Sequence, residues 1–140
     1  MAKYFHFTLS TPEAVLFDSE TDYIGIETPR GEIGIMADHL PIISLISAGV
    51  MRIETKEGDK VLATGSGFVK VTSEKVTAFT QTAEFAESID EERAKQALKE
   101  AQLEMAKKVD EVSLADATGL LERNAARLKA VERKRKRSHH

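Results

Sequence analysis

Hydrophobic and polar residues alternate along most of the first 87 residues. The alternation is clear in Phe5–Leu9, and it returns in four later runs, residues 23–26, 50–53, 68–71 and 76–79. A period of two is typical of a β-strand with one buried face. Turn signals separate the runs at residues 11–13, 28–31, 57–59 and 73–74. Short strands at this spacing predict a β-sandwich or barrel, and strands that need one covered face favour two stacked antiparallel sheets.

Two glycines, Gly65 and Gly67, fall inside a strand-like run. Glycine in a strand often marks a bulge or a place where another backbone comes close, so we expect one of the two here. The run Gly65-Ser66-Gly67 superficially resembles the G-x-S-x-G turn around a nucleophilic serine, but its strand-like flanks favour the structural interpretation.

From Ser88 onward the period changes from two to that of a helix. Ser88 and Glu91 have the spacing of a capping box and predict the start of a first helix. The run Val109–Ser113 interrupts the pattern, and Ser113 predicts the start of a second helix. The apolar stripe of both helices is rich in alanine, which buries little area per residue. The pattern therefore predicts a weakly held antiparallel hairpin, and it leaves open whether this hairpin is fixed or detachable.

Composition and charge divide the chain at the same point. All six phenylalanines, both tyrosines and all three prolines precede residue 89. Residues 1–88 carry 7 basic and 13 acidic side chains, a net charge of −6, whereas residues 89–140 carry 13 basic and 10 acidic ones, a net charge of +3. The sequence therefore predicts an α+β protein, with an antiparallel β-sandwich over residues 1–87 and a two-helix hairpin over residues 88–140.

Few residues suggest chemistry. The chain has no cysteine, no phosphate-binding glycine loop and no membrane-length apolar run, and its net charge of −3 argues against general nucleic-acid binding. Asp38 and His39 form a single pair, which is too few ligands for a metal site. The basic run Arg133–Arg137 is either a solvated helix end or a docking patch for an acidic protein, anionic lipid or nucleic acid.

Several motifs in order resemble one family. Residues 31–42, Gly-Glu-Ile-Gly-Ile-Met-Ala-Asp-His-Leu-Pro-Ile, look like a signature of the epsilon subunit of bacterial F-type ATP synthases. Residues 48–53, 65–71, 83–84 and 89–94 resemble four further motifs of that family, with departures at Ala48, Ser66 and Lys70. The resemblance spans nearly the whole chain.

The resemblance implies a sandwich of roughly ten strands followed by two helices, in a non-catalytic rotor subunit. The implied partners are the gamma subunit, the ring of c subunits and, when the hairpin is extended, the catalytic alpha and beta subunits. In that state the hairpin opposes ATP hydrolysis. The protein would then lie peripherally on the cytoplasmic side of the bacterial inner membrane, touching the membrane only through the complex, with no nucleic-acid partner.

The resemblance also assigns roles to residues. Glu32 and His39 match the family loop that faces the ring. Residues that match the helix meeting acidic loops of the beta subunits are Arg123, Arg127, Lys129, Arg133 and Lys134.

No cofactor is required by this reading, but ATP is a candidate regulatory ligand. Its candidate binding residues are Glu84, Ile89, Asp90, Arg93, Ala94, Arg123 and Arg127. Glu100 stands where good binders often have a basic residue, and it would repel phosphate. The alternative is that Asp90 and Arg93 only cap and brace the first helix.

Two other classes of function remain open on the residues alone. One is a stand-alone adaptor whose hairpin recruits a partner. The other is an enzyme built on a β-sandwich, which the lack of a nucleophile, metal or phosphate-loop pattern argues against.

Overall fold

The computed structural model describes residues 3–107 and 111–138, which form ten strands and two long helices. The strands are β1 (Phe5–Ser10), β2 (Val15–Thr21), β3 (Tyr23–Thr28), β4 (Gly31–Ile35), β5 (Ile42–Ile46), β6 (Gly49–Thr55), β7 (Gly58–Thr64), β8 (Gly67–Val71), β9 (Lys75–Thr80) and β10 (Ala83–Phe85). A 3-10 turn (Ala86–Ser88) leads into the helices α1 (Glu91–Lys107) and α2 (Glu111–Ser138).

The strands form two five-stranded sheets. Sheet I has the order β2-β1-β9-β8-β5, and sheet II has the order β10-β7-β6-β3-β4. The predicted sandwich and the predicted ten strands are confirmed. One pairing departs from the antiparallel expectation, because β1 and β9 run parallel in the middle of sheet I. These two strands are distant in sequence, so no tight hairpin constrains their relative direction.

The core lies between the sheets and follows the alternation seen in the sequence. In β1, Phe7 and Leu9 are fully buried, and the ring centroid of Phe7 lies 5.8 Å from that of Phe17. Sheet II contributes Ile24, Ile26, Ile35, Met51, Ile53 and Leu62 to the same cluster. Every buried member of this cluster lies in a strand of one of the two sheets, so this core belongs to the sandwich alone.

A close backbone approach at one of the two glycines is confirmed. Gly67 pairs with Thr80 at the start of β8, and a Cβ there would overlap the carbonyl oxygen of Phe79. Gly65 instead lies in the connection between β7 and β8. Glycine at position 67 therefore lets β8 and β9 pair as closely as they do.

The hairpin is folded against the outer face of sheet II. A second cluster, here called the alanine cluster, holds it there and consists of Val50, Val61, Ala63, Ala86, Ile89, Ala94, Ala126 and Ala130. The predicted alanine-rich contact is confirmed, whereas Leu103 and Leu120 are exposed. In the described ranges 3–107 and 111–138, neither helix is long and apolar enough to cross a membrane.

Both predicted helix caps are wrong. Helix α1 is capped by Asp90, whose Oδ1 accepts the N–H of Arg93 at 3.1 Å, while Ser88 lies in the 3-10 turn. Ile89 is extended and buried in the alanine cluster, so the helix begins after it. Helix α2 begins at Glu111, which places Ser113 inside it. Residues 109 and 110 of the predicted break lie outside the described residues.

Candidate functional site

Glu32 lies in strand β4 rather than in the predicted loop. It pairs directly with Glu27 of β3, and its side chain is exposed. Directly opposite residues of an antiparallel pair project to the same face, so the two carboxylates are neighbours on the outer face of sheet II. Glu32 is therefore an exposed residue of a paired strand.

His39 lies in the connection between β4 and β5, after the C-terminal end of β4, whereas Glu32 is near its N-terminal end. Its backbone N–H donates to the Met36 carbonyl at 3.3 Å, and its ring Nδ1–H donates to the Leu40 carbonyl at 2.7 Å. Asp38, at φ 65°, pairs with Lys3 at 2.9 Å and raises the pKa of that lysine by hydrogen bonding. The two predicted ring-facing residues therefore lie toward opposite ends of β4.

Asp38 and His39 do not converge on a common point. Each has a different partner, and within residues 3–107 and 111–138 no group of three or more candidate metal ligands occurs. The loop instead presents apolar side chains, with Leu40 77% exposed. An exposed leucine beside a polar histidine suits contact with another protein.

Of the candidate ATP-binding residues, the structure joins Glu84 and Arg127. The Arg127 Nη2–H donates to Glu84 Oε1 at 3.0 Å, and Nε lies 2.7 Å from Oε2 without making a hydrogen bond. Arg127 Nη1 also donates to the buried Asn124 Oδ1 at 3.3 Å. Arg127 is therefore fixed across the gap between β10 and α2.

Three of the candidates at the start of α1 make structural contacts. Asp90 caps the helix, and Ile89 and Ala94 are buried in the alanine cluster. Arg93 is exposed. In the described part of the chain, no hydrogen bond or ion pair joins Asp90 or Arg93 to Arg123 or Arg127.

Arg123 lines a cleft between α2 and the loops at one end of the sandwich. The cleft has a volume of about 430 Å³, and Ser66, Thr82 and Asp116 also border it. Arg123 is exposed, and no ion pair to it is found within the described residues. The cleft therefore combines one guanidinium and two hydroxyls with two carboxylates, those of Asp116 and Glu122.

The basic side chains of α2 face acidic groups of the rest of the chain. Lys129 pairs with Glu27, Arg135 with Glu91, and Lys134 with Glu87 at 3.8 Å. Three of the five candidate docking residues, Arg127, Lys129 and Lys134, are thus engaged within the chain, whereas Arg123 and Arg133 have no ion-pair partner within the described ranges. The folded hairpin therefore already uses three of the five candidate docking charges for contacts within the chain.

Sequence reasoning missed a surface on the outer face of sheet I. Leu45, Phe68 and Phe79 pair in register across β5, β8 and β9, and the two rings lie 5.9 Å apart. Ile43 continues the apolar surface along β5 and is 75% exposed. These four residues are here called the apolar row, and a cleft of about 700 Å³ borders it. The signal was present in β5, where apolar residues occupy both alternating sets of positions.

Comparison with known proteins covers both parts of the chain. Residues 4–86 match the family described as "ATP synthase, Delta/Epsilon chain, beta-sandwich domain", and residues 87–132 match "ATP synthase, Delta/Epsilon chain, long alpha-helix domain". The ATP synthase epsilon chain of Desulforamulus reducens is 33% identical over 134 residues, covering 94% of this chain and 100% of that one. That of Ruminiclostridium cellulolyticum is 34% identical over 135 residues, covering 96% and 100%.

Solved structures show the same fold. A chain of the Euglena gracilis mitochondrial ATP synthase structure, described as OSCP/F1/c-ring in rotational state 1, has a TM-score of 0.77 at 23% identity, with coverage of 98% of this chain and 82% of that one. A chain of the Tetrahymena thermophila mitochondrial ATP synthase central stalk and c-ring structure has a TM-score of 0.60 at 15% identity, with coverage of 93% and 98%.

The fold is a two-sheet sandwich with a helical hairpin folded on the outer face of one sheet. The chain belongs to the ATP synthase delta/epsilon family, as an epsilon subunit of the F-type ATP synthase central stalk. The family resemblance of the sequence motifs is confirmed.

Proposed function

We propose that this chain is a non-catalytic rotor subunit that couples ion flow through the c-ring to ATP synthesis, and that the gamma subunit docks on the apolar row of sheet I. The row carries the proposal because it is the sandwich face that the hairpin leaves open. The outer face of sheet II is covered by α2, whereas Ile43, Leu45 and Phe68 are 75%, 66% and 45% exposed. Contiguous exposed apolar groups of this kind mark protein contacts.

The experiment is co-purification with gamma. Leu45→Glu places a charge in the middle of the apolar row and is expected to abolish or strongly weaken capture of gamma, because the carboxylate would be desolvated. Val15→Glu is the matched control, since Val15 is 60% exposed on β2 at the opposite edge of the same sheet. Equal capture by both variants would refute docking at the row.

The second proposed contact is with polar loops of the c-ring, through Glu32. This carboxylate is exposed on a short, paired strand, so a force applied to it is transmitted directly to sheet II of the sandwich. Contact between rigid surfaces can transmit torque without a chemical step. His39, at the other end of β4, is assigned to the same interface by family resemblance, and crosslinking tests the two positions separately.

The hairpin is proposed to restrain ATP hydrolysis after it leaves the sandwich and extends into the catalytic head, among the alpha and beta subunits. The alanine cluster supports this, because small side chains hold α2 with little buried area. The basic residues Arg123, Arg127, Lys129, Arg133 and Lys134 would then exchange acidic partners within the chain for acidic loops of beta. Such an exchange suits a two-state element, since the basic side chains have acidic partners in both states.

ATP is proposed as a regulatory ligand that favours the folded hairpin. The support is the cleft at Arg123 and its neighbour one turn on, Arg127, because arginines four apart share a helix face. Arg127 is already held by Glu84, so ATP would have to compete with that carboxylate. In this proposal the subunit works at the cytoplasmic side of the bacterial inner membrane, attached only through the complex.

A further inference from the structure

Glu27 lies at the end of β3 with its carboxylate held in place by the sandwich. Its Oε2 accepts the backbone N–H of Val50 at 2.9 Å, and its side chain is only 20% exposed. Gly49 makes room for it, because a Cβ at position 49 would overlap the carboxylate. The acceptor is therefore held by contacts with β6 that do not involve α2.

Lys129 of α2 pairs with the other oxygen of this carboxylate. Lys129 directly precedes Ala130, and Ala126 lies one helical turn before Ala130. Lys129 therefore flanks the two alanines of α2 that pack on Val50, Val61 and Ala63. Alanine side chains present a shallow surface, and such contacts resist sliding of a helix only weakly. A fixed charge beside them selects one position of α2 along sheet II.

Glu32 of β4 is the residue directly opposite Glu27, whose carboxylate itself extends over Gly49 of β6. Glu27 and Glu32 are in direct register, and like charges at such positions destabilise a β-hairpin. With α2 docked, Lys129 offsets the charge of Glu27. When α2 leaves, Glu27 keeps its hydrogen bond to Val50 but loses its cation, and the repulsion across β3 and β4 is restored.

We propose that Glu27 is a preformed latch for Lys129, which determines where α2 docks and transmits its departure to strand β4. The latch requires no nucleotide and no partner subunit, so it is testable in the isolated chain. It does not depend on the proposed docking of gamma or on inhibition of hydrolysis. One consequence rests on the proposed function: with the ring contacting Glu32, the state of the hairpin is communicated to that contact.

The test is hydrogen–deuterium exchange by mass spectrometry on the full-length chain. Lys129→Met removes the cation and keeps an unbranched side chain. It is expected to speed exchange of residues 123–131 of α2 by roughly two- to fivefold, the range for one partly exposed ion pair. Exchange of residues 23–35, which include β3 and β4, is expected to rise by roughly two- to fivefold as well. Lys134→Met is the matched control, because it removes the same charge from the same helix where the pair with Glu87 is exposed on both sides.

Glu27→Gln tests the docking of α2 separately from the effect of α2 departure on strand β4. Glutamine keeps an oxygen for the Val50 N–H but has no charge, so α2 is expected to loosen while residues 23–35 stay protected. In Glu27→Gln/Lys129→Met, the lysine change is expected to add nothing further in either segment. The latch is refuted if Lys129→Met exchanges like Lys134→Met in residues 123–131. Transmission is refuted if residues 23–35 loosen as much in Glu27→Gln as in Lys129→Met.

Discussion

Arg127 and Glu84 connect the last strand of the sandwich to the last helix of the hairpin. Nη2 of the arginine donates to Oε1 at 3.0 Å, and the buried Oδ1 of Asn124 takes a further donor from the same guanidinium. Strand β10 has three residues and pairs with β7 alone in the described part of sheet II. The arginine therefore fixes a short edge strand and the helix to each other.

Arg127→Ala is expected to destabilise docking of α2 by about 1–2 kcal/mol, because it leaves Glu84 and the buried Asn124 oxygen without their donor. Arg127→Lys should lose less, since an ammonium keeps the charge and one hydrogen bond but cannot serve both acceptors. Denaturant unfolding followed by helix circular dichroism measures this difference. Lys136→Met is the control, because its pair with Glu132 is exposed and within one helix. Equal effects of Arg127→Ala and Lys136→Met would contradict the role of Arg127.

A cysteine in place of Glu32 is expected to crosslink to a cysteine in a ring loop of the assembled complex. The chain has no native cysteine, so each introduced thiol reports on one position. His39→Cys tests the other end of β4, and Glu57→Cys, in the turn between β6 and β7, is the comparison site. Crosslinks from Glu32→Cys to stator subunits alone would show that the ring assignment is wrong.

Removal of the hairpin after Ser88 is expected to leave a folded sandwich that still assembles, with faster ATP hydrolysis by the complex. The main core contains residues of the sandwich alone, whereas the hairpin contributes only to the alanine cluster. The truncated chain exposes Val50, Val61 and Ala63, so it should be less soluble without being unfolded. Thermal unfolding of residues 1–88 and hydrolysis by the reconstituted complex measure the two effects. An unfolded fragment would mean that the hairpin is part of the core, and unchanged hydrolysis would mean that it does not inhibit.

The strands were predictable because each has one face toward the core, and Phe7 and Leu9 show how closely burial follows a period of two. The start of α1 was not predictable, because Ser and Asp are both good N-cap residues. Burial of Ile89 decides between Ser88 and Asp90. The relative direction of the strands in sheet I was also not predictable. The parallel contact of β1 with β9 depends on tertiary order, which local pattern does not record.

The candidate site was predictable in part. The basic character of α2 is plain in the sequence, but its pairing with Glu27, Glu84, Glu87 and Glu91 depends on how the hairpin folds back and lies on the sandwich. The apolar row could have been found, because β5 is apolar on both faces. The domain boundary at residue 87, the ring contact and the ATP site stay predictions.

The ATP proposal makes a specific demand on Glu100. This residue is exposed on α1 and accepts a hydrogen bond from Gln96 at 3.1 Å, so its replacement should leave the fold intact. If phosphates bind near Arg123 and Arg127, a carboxylate on the facing helix opposes them, and Glu100→Arg should tighten binding by roughly threefold or more, the effect of one exposed charge pair. Glu13→Arg, in the turn between β1 and β2, makes the same change in net charge far from the hairpin in sequence.

Isothermal calorimetry with ATP on the three purified chains decides among the outcomes. Tighter binding in Glu100→Arg alone would place the phosphates beside α1, whereas equal tightening in Glu13→Arg would reflect net charge. Glu84→Gln adds a second arm, because it releases Arg127 from its carboxylate and should also tighten binding if ATP competes for that guanidinium. High salt should reduce both gains, since the charges are solvent-exposed. No heat at millimolar ATP in any of these chains would remove ATP as a ligand, and Arg127 would then serve the folded hairpin through Glu84 alone.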